Sequence, residues 1–268
     1  MARFKRLLIT GAAGNLGTML RRDLAPLAEV LRLSDQADLG AAADHEELVR
    51  CDLADRDAVL ALTRDVDAVA HFGGVSVEGR FDDILHGNIE GSYYLYEGCR
   101  QHRVARVVYA SSNHAVGFHP RTRIIDAQAD YRPDSMYGVS KVFVEALSRY
   151  YFDKFHIETV NLRIGSCFPE PLDRRMLATW LSYRDLAQLV TRALLAPKVG
   201  FSVVYGSSAN REQFWDNRYA AHIGYQPEDS AEQYRDKVEA VTPIPDPADP
   251  AVAWVGGGFA AAGHFEDD

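Results

Sequence analysis

Tyr137 and Lys141 stand one helical turn apart in the string YGVSK, and the serine pair Ser111-Ser112 lies upstream of them. A helix through that string carries the phenol and the ammonium on one face. Such a pair can move a proton. A neighbouring cation favours the phenolate and draws a tyrosine down from its ordinary pKa of about 10 toward working pH, as a general base for an alcohol requires. The expectation is that Lys141 acts on Tyr137 in this way. The same spacing also describes a surface pair on an ordinary helix, so the surrounding elements must decide.

The run Arg6-Leu7-Leu8-Ile9-Thr10 leads into Gly11-Ala12-Ala13-Gly14-Asn15-Leu16-Gly17 and then into a helical pattern with Met19, Leu20 and Leu24. This reads as strand, glycine turn, helix. Glycines let backbone approach a pyrophosphate, and the N–H groups and dipole of the following helix offset its charge. Gly11, Gly14, Asn15, Leu16 and Gly17 are therefore candidate cofactor residues, although the spacing is GxxGxxG and differs from the GxGxxG fingerprint. A second strand, Val30 to Ser34, ends at Asp35, where a carboxylate can accept hydrogen bonds from an adenosine ribose. It would repel a 2′-phosphate, which favours NAD over NADP.

Short apolar runs alternate with longer helical patterns, as parallel strands joined by crossover helices require. Strands are expected over Leu7–Thr10, Val30–Ser34, Glu47–Cys51, Ala68–Phe72, Val104–Ala110, Thr159–Ile164 and Ser202–Tyr205. Helices are expected over 15–25, 55–64, 82–102, 136–154, 184–196 and 230–239. The fold class is α/β, a Rossmann-type doubly wound parallel sheet with a small C-terminal substrate-covering region. Residues 1–165 form the dinucleotide-binding core, and 166–268 a short substrate region whose segment at about 184–206 rejoins the core. The PIPDPADP stretch at 243–250 and the polar end read as an ordered or loosely attached tail.

In such a sheet ligands bind beyond the carboxyl ends of the strands. The segments there are chemically unusual. Phe72-Gly73-Gly74-Val75-Ser76 offers small residues beside a cofactor, with Ser76 in reach of sugar hydroxyls. Ser111-Ser112-Asn113-His114 puts four polar side chains at the exit of an apolar strand, which core packing does not explain. The sixth strand, ending at Ile164, is followed by Ser166 and Cys167 and then by Arg174-Arg175, and a guanidinium fork suits a carboxylate.

With glycine turn, acidic strand end, serine pair and YxxxK in this order, residues 5–210 resemble the extended branch of the short-chain dehydrogenase/reductase superfamily. The strings SSNHAVG, YGVSK, RIGSCFPEP, RRMLATW and VVYGSSAN resemble uronate dehydrogenases within that branch. The resemblance implies a catalytic set of Ser112, Tyr137 and Lys141, with Ser112 on the reacting oxygen. It places Asp52-Leu53 at the adenine, Ser111 on the cofactor side, Lys141 at the nicotinamide ribose, and Ile164 or Cys167 against the nicotinamide. Ser76, Asn113 and His114 would bind ring hydroxyls, and Ser166 and Arg175 the carboxylate, leaving Arg174 as a solvated surface residue. The implied reaction is NAD-dependent oxidation of C1 of a hexuronic acid, D-glucuronate or D-galacturonate, to an aldarolactone that opens to an aldaric acid. A nucleotide-sugar epimerase or dehydratase is the enzymatic alternative. An NAD-sensing regulator is the non-enzymatic one.

Composition sets the outer limits. Twenty-nine basic against 38 acidic residues give a formal charge of −9 with no basic block, which argues against nucleic acid. Cys51, Cys99 and Cys167 are too few and scattered for a disulfide framework or a zinc cage, so no metal is expected. No segment reads as a signal or membrane span, which points to the cytoplasm. Large apolar groups at Tyr93, Tyr94, Tyr96, Phe143, Leu147, Tyr150 and Tyr151 exceed what one sheet face needs, so a homo-oligomer built on a helix-paired dimer is expected.

Overall fold

Leu7, Ile9, Leu31 and Leu33 point to one face of a sheet and Leu8 to the other, all fully buried, because successive side chains alternate along a strand. Strands buried on both faces need helices on both sides, and the chain supplies them. The computed structural model describes residues 3–267. Seven strands form one parallel sheet: β1 (Phe4–Thr10), β2 (Ala28–Asp35), β3 (Glu46–Arg50), β4 (Ala68–His71), β5 (Arg106–Tyr109), β6 (Glu158–Ile164) and β7 (Phe201–Gly206). Their order is β7-β6-β5-β4-β1-β2-β3, with every pairing parallel. All seven expected strands are present. The direction of winding reverses between β1 and β4, and a crevice opens there at the carboxyl edge.

Helices α1 (Asn15–Asp23) and α5 (Tyr183–Leu195) cover one face, where Leu20, Leu186, Leu189 and Val190 pack on Leu7, Ile9, Leu162 and Val204. The other face takes α2 (Arg56–Leu62), α3 (Gly91–His102) and α4 (Met136–Phe155), with Val59, Leu95, Tyr96 and Val144 against Leu8, Val69 and Val107. The helix expected over 82–102 begins at Phe81 but passes through a π-helical stretch, Leu85–Glu90, before α3. Periodicity at 3.6 residues does not reveal that extra residue per turn.

Two of the aromatics expected to be surplus belong to the core. Tyr96 and Tyr151 are buried and stack on each other with centroids 5.4 Å apart. Tyr93, Phe143 and Tyr150 are exposed. Beyond β7, Ala231–Tyr234 is a 3-10 turn that runs into α6 (Arg235–Val241). The tail is ordered: Asp249 caps the short helix Pro250–Ala253, and Trp254 bridges to Pro120. No helix among the described residues is long and apolar enough to cross a membrane.

Candidate active site

At the carboxyl edge of the sheet lies a cleft of about 1140 Å³, running from Asp35 and Asp52 at one end to His114, Tyr137 and Phe168 at the other. Its first half is shaped by backbone. Gly11 has a φ of +70°, and a Cβ there would lie 2.5 Å from the Phe72 carbonyl oxygen; at Gly17 it would lie 1.9 Å from the Gly11 oxygen. Only glycine lets β1, α1 and the segment after β4 come so close. No side chain caps α1 and its first turn holds no acid, so its leading N–H groups face the cleft with the positive end of the helix dipole. Asp35 accepts from Ala13 N and from Ala37 N, each at 3.0 Å, which fixes its carboxylate opposite the glycine turn. A pyrophosphate cradle beside a fixed carboxylate fits a dinucleotide. Asp52, Leu53, Phe72 and Gly73 line the same half. Asp52 turns its chain by accepting from Ala54 N at 2.9 Å, while Asp55 is the residue that caps α2.

The second half gathers the polar residues. Ser112 caps a 3-10 turn at Asn113–Val116, accepting from His114 N at 3.2 Å, and lines the cleft together with Tyr137. The His114 ring meets Asp134 Oδ2 through Nδ1 at 2.9 Å and lies edge-on to Tyr137, centroids 5.8 Å apart. Tyr137 and Lys141 are buried on the inner face of α4, and Lys141 Nζ donates to the Ala110 carbonyl at 2.9 Å. Ser76, Ile164 and Cys167 line this half as well.

Ser166 and Arg175 stand behind that wall instead of in it. With the Asn113 amide oriented to satisfy both neighbours, its nitrogen donates to Ile164 O at 3.0 Å and its oxygen accepts from Arg175 Nη2 at 2.7 Å. Arg175 Nη1 donates to Ser166 Oγ at 3.2 Å, and Ser166 shares a 2.9 Å hydrogen bond with Thr179. Burial lowers the Arg175 pKa to about 10, with Arg121 nearby adding to the effect. The guanidinium stays charged at neutral pH.

Three expectations need correction. Lys141 does not pull Tyr137 down. Its ammonium is 5.2 Å from the ring centroid, and burial lowers its own pKa to about 7. Burial pushes Tyr137 up to about 12; the Ser112 hydroxyl favours the phenolate but Asp134 opposes it. Second, Ser111 lines the cleft, but its hydroxyl is turned inward and donates to Glu145 Oε1 at 2.6 Å. Third, Arg174 is not a free surface arginine: it donates to the Glu239 and Pro243 carbonyls, at 3.2 and 3.0 Å, and ties α6 to the substrate side.

Other site residues carried no recognisable signal. Glu145 and Arg163 form an almost wholly buried pair beneath Ser111, with Nη2 to Oε2 at 2.8 Å. Phe259, in the tail, stacks on His114 with centroids 4.0 Å apart. Its nearest hint is the run Gly256-Gly257-Gly258, which marks close backbone approach without naming the partner.

The profile of the NAD dependent epimerase/dehydratase family matches residues 7–182. Uronate dehydrogenase of Pseudomonas syringae pv. tomato is 53% identical over 98% of this chain and 96% of its own length. The crystal structure of glucuronic acid dehydrogenase from Chromohalobacter salexigens, 54% identical, superposes with a TM-score of 0.97 over 99% of this chain and all of that one. A mutant of uronate dehydrogenase from Agrobacterium tumefaciens, complexed with NAD, is 49% identical with a TM-score of 0.94 over 97% and 98% of the two chains. With its glycine cradle, fixed Asp35 and buried Tyr137-Lys141 pair, this chain belongs to the NAD dependent epimerase/dehydratase family and is similar over nearly its whole length to uronate dehydrogenases.

Proposed function

We propose that this NAD-dependent oxidoreductase oxidises C1 of a cyclic hexuronic acid, D-glucuronate or D-galacturonate, to the aldarolactone, which opens in water to the aldaric acid. The carrying observation is the half-buried Arg175 guanidinium joined through Asn113 to the turn that begins at Ser112. It fixes a positive charge at a set distance from Tyr137, as a substrate with an acid at one end and a reacting hydroxyl at the other requires.

The glycine turn and the α1 N-terminus hold the pyrophosphate, Asp35 the adenosine ribose, Asp52-Leu53 the adenine, and Lys141 the nicotinamide ribose. Bound NAD supplies the hydride acceptor. Tyr137 takes the proton of the C1 hydroxyl, and Ser112 stabilises that oxygen as its charge changes. Ser76, Asn113 and His114 hold ring hydroxyls, with Asp134 fixing the orientation of His114. Arg175, held by Ser166 behind the wall, supplies the positive charge that the carboxylate meets through Asn113.

The nucleotide-sugar alternative is disfavoured by charge. Downstream of β7, Arg211, Arg218, Arg235 and Lys237 are each paired with a carboxylate of the chain: Glu232, Asp216, Glu212 and Glu170 respectively. None is left over for a diphosphate. The regulator alternative lacks the broken catalytic set it needs, since Ser112, Tyr137 and Lys141 all meet in the cleft. NADH absorbance with glucuronate, galacturonate, glucose and UDP-glucose in parallel tests the assignment. Turnover of the two uronates alone is expected, and turnover of UDP-glucose alone would overturn it. Tyr137→Phe is expected to lower kcat by about 100- to 10,000-fold while NAD still binds.

For assembly, the exposed aromatics Tyr93 on α3 and Phe143 and Tyr150 on α4 support a dimer paired through these helices. Sedimentation showing monomer alone at micromolar concentration would reject it. A reducing cytoplasmic setting suits the free thiols of Cys51, Cys99 and Cys167.

A further inference from the structure

The loop leaving β4 carries Ser76 past the reacting end of the cleft, and the chain fastens it at two points. Asn88, in the π-helical stretch, accepts from Val75 N at 2.7 Å and donates to Val75 O at 3.0 Å and to Ser140 Oγ at 2.9 Å. Ser140 in turn donates to the Tyr137 carbonyl at 2.7 Å. Three residues beyond Val75, Glu78 reaches the catalytic helix itself. Its carboxylate accepts from Tyr137 N at 2.7 Å and from Met136 N at 3.2 Å.

Helix capping alone accounts poorly for this arrangement. Ser135 already caps α4 locally, its hydroxyl accepting from Gly138 N at 3.0 Å. Water would satisfy the remaining first-turn N–H groups of an accessible helix end. The acceptor instead comes from 59 residues upstream and belongs to a loop with little else to hold it. Gly74 has a φ of +125°, a Cβ at Gly79 would meet open space, and Ser76 and Val77 between them are exposed. Glycines on both sides allow the loop many conformations. Asn88 fixes its near end and Glu78 its far end. Glu78 itself lines the cleft, so the tie sits at the site and not on a remote surface.

We propose that Glu78 is a positioning residue for the C1 oxidation: its carboxylate ties the β4 loop to the turn bearing Tyr137, so that Ser76 and the phenol keep a fixed separation across the cleft mouth. The inference rests on the functional reading above, in which Ser76 holds a sugar hydroxyl. Glu78 touches neither substrate nor cofactor in this role. Losing it lets Ser76 drift, which weakens substrate binding before it weakens chemistry.

Glu78→Ala is expected to raise KM for glucuronate about 10-fold, with kcat within about 3-fold and NAD affinity within about 2-fold of the parent, since a 1 Å misplacement can cost as much as 100-fold. Glu78→Gln, which keeps one carbonyl oxygen for Tyr137 N, is expected to recover part of the loss. Because the two residues act as a unit, adding Glu78→Ala to Ser76→Ala should worsen KM no further. Losses that multiply, or a fall confined to kcat and melting temperature, would overturn the proposal. Hydrogen exchange gives an arm independent of turnover. In Glu78→Ala the amides of 74–80, Met136 and Tyr137 should exchange about 10-fold faster while the sheet is unchanged, and unchanged exchange there would refute the tie. Should the parent protein fail to oxidise uronates, the functional reading falls while the exchange result still decides the tie. If Glu78→Ala does not fold, Glu78→Gln carries both measurements.

Discussion

Arg175 gives the Val255 carbonyl both arms of its guanidinium fork, Nε at 3.0 Å and Nη2 at 2.8 Å. The fork expected to grip a carboxylate is thus turned to the chain's own tail. What remains toward the cleft is the edge that touches Asn113 and Ser166, so the arginine is both a charge at the site and the anchor of the segment carrying Phe259.

Arg175→Ala is therefore expected to lower kcat/KM for glucuronate by roughly 10- to 100-fold, the size of a lost charge-assisted hydrogen bond. The corresponding neutral sugar should lose less. Steady-state kinetics on both substrates check this, and equal losses would mean that Arg175 only anchors the tail.

Gly257→Ala disturbs the anchor while keeping the arginine in the chain. Gly257 has a φ of +67°, and an added Cβ would lie 2.7 Å from Arg175 Cδ and Nε. Either the guanidinium or the tail segment must shift, and the strain of a positive φ favours a shift of the segment that carries Phe259 off His114. A rise in KM for uronate of about 10-fold is expected, with NAD affinity unchanged as measured by titration.

Lys141 and Tyr137 make stability depend on pH with opposite signs. The Lys141 pKa, lowered to about 7 by burial, means the unfolded chain binds more protons between about 7 and 10.5, so stability rises with pH across that window and is lost as pH falls toward 7. Tyr137, pushed up to about 12, holds its proton longer in the folded protein, so above about pH 10 it makes stability fall as pH rises. Melting temperatures of the protein should climb from pH 7 toward 10, and Lys141→Met should flatten that climb. A flat profile in the parent protein would contradict the burial of the ammonium.

Glu145→Ala is expected to destabilise the fold by about 3–5 kcal/mol, because it strands the Arg163 charge in the core and frees the Ser111 hydroxyl. Urea unfolding measures the loss. Replacing both members by apolar residues, Glu145→Leu with Arg163→Met, should recover most of it. No recovery would show that the pair's geometry, beyond its charge balance, is needed.

Much of the architecture was legible because it rests on local patterns. Short apolar runs located all seven strands. The glycines of the turn could be read because a positive φ at Gly11 and the close approach at Gly17 leave no other residue type. YxxxK announced itself because a helix turn fixes the spacing of Tyr137 and Lys141 whatever the rest of the chain does. Long-range relations were not legible. Glu78 reaches Tyr137, Asp134 meets His114, Glu145 takes Ser111 and Val255 takes Arg175 only because loops and tail converge on one edge of the sheet. No periodicity encodes those meetings. The protonation balance of Tyr137 and Lys141 was decided the same way: the residue types foretold a cation aiding a phenol, but burial penalises both charged forms, and burial is a property of the assembled fold.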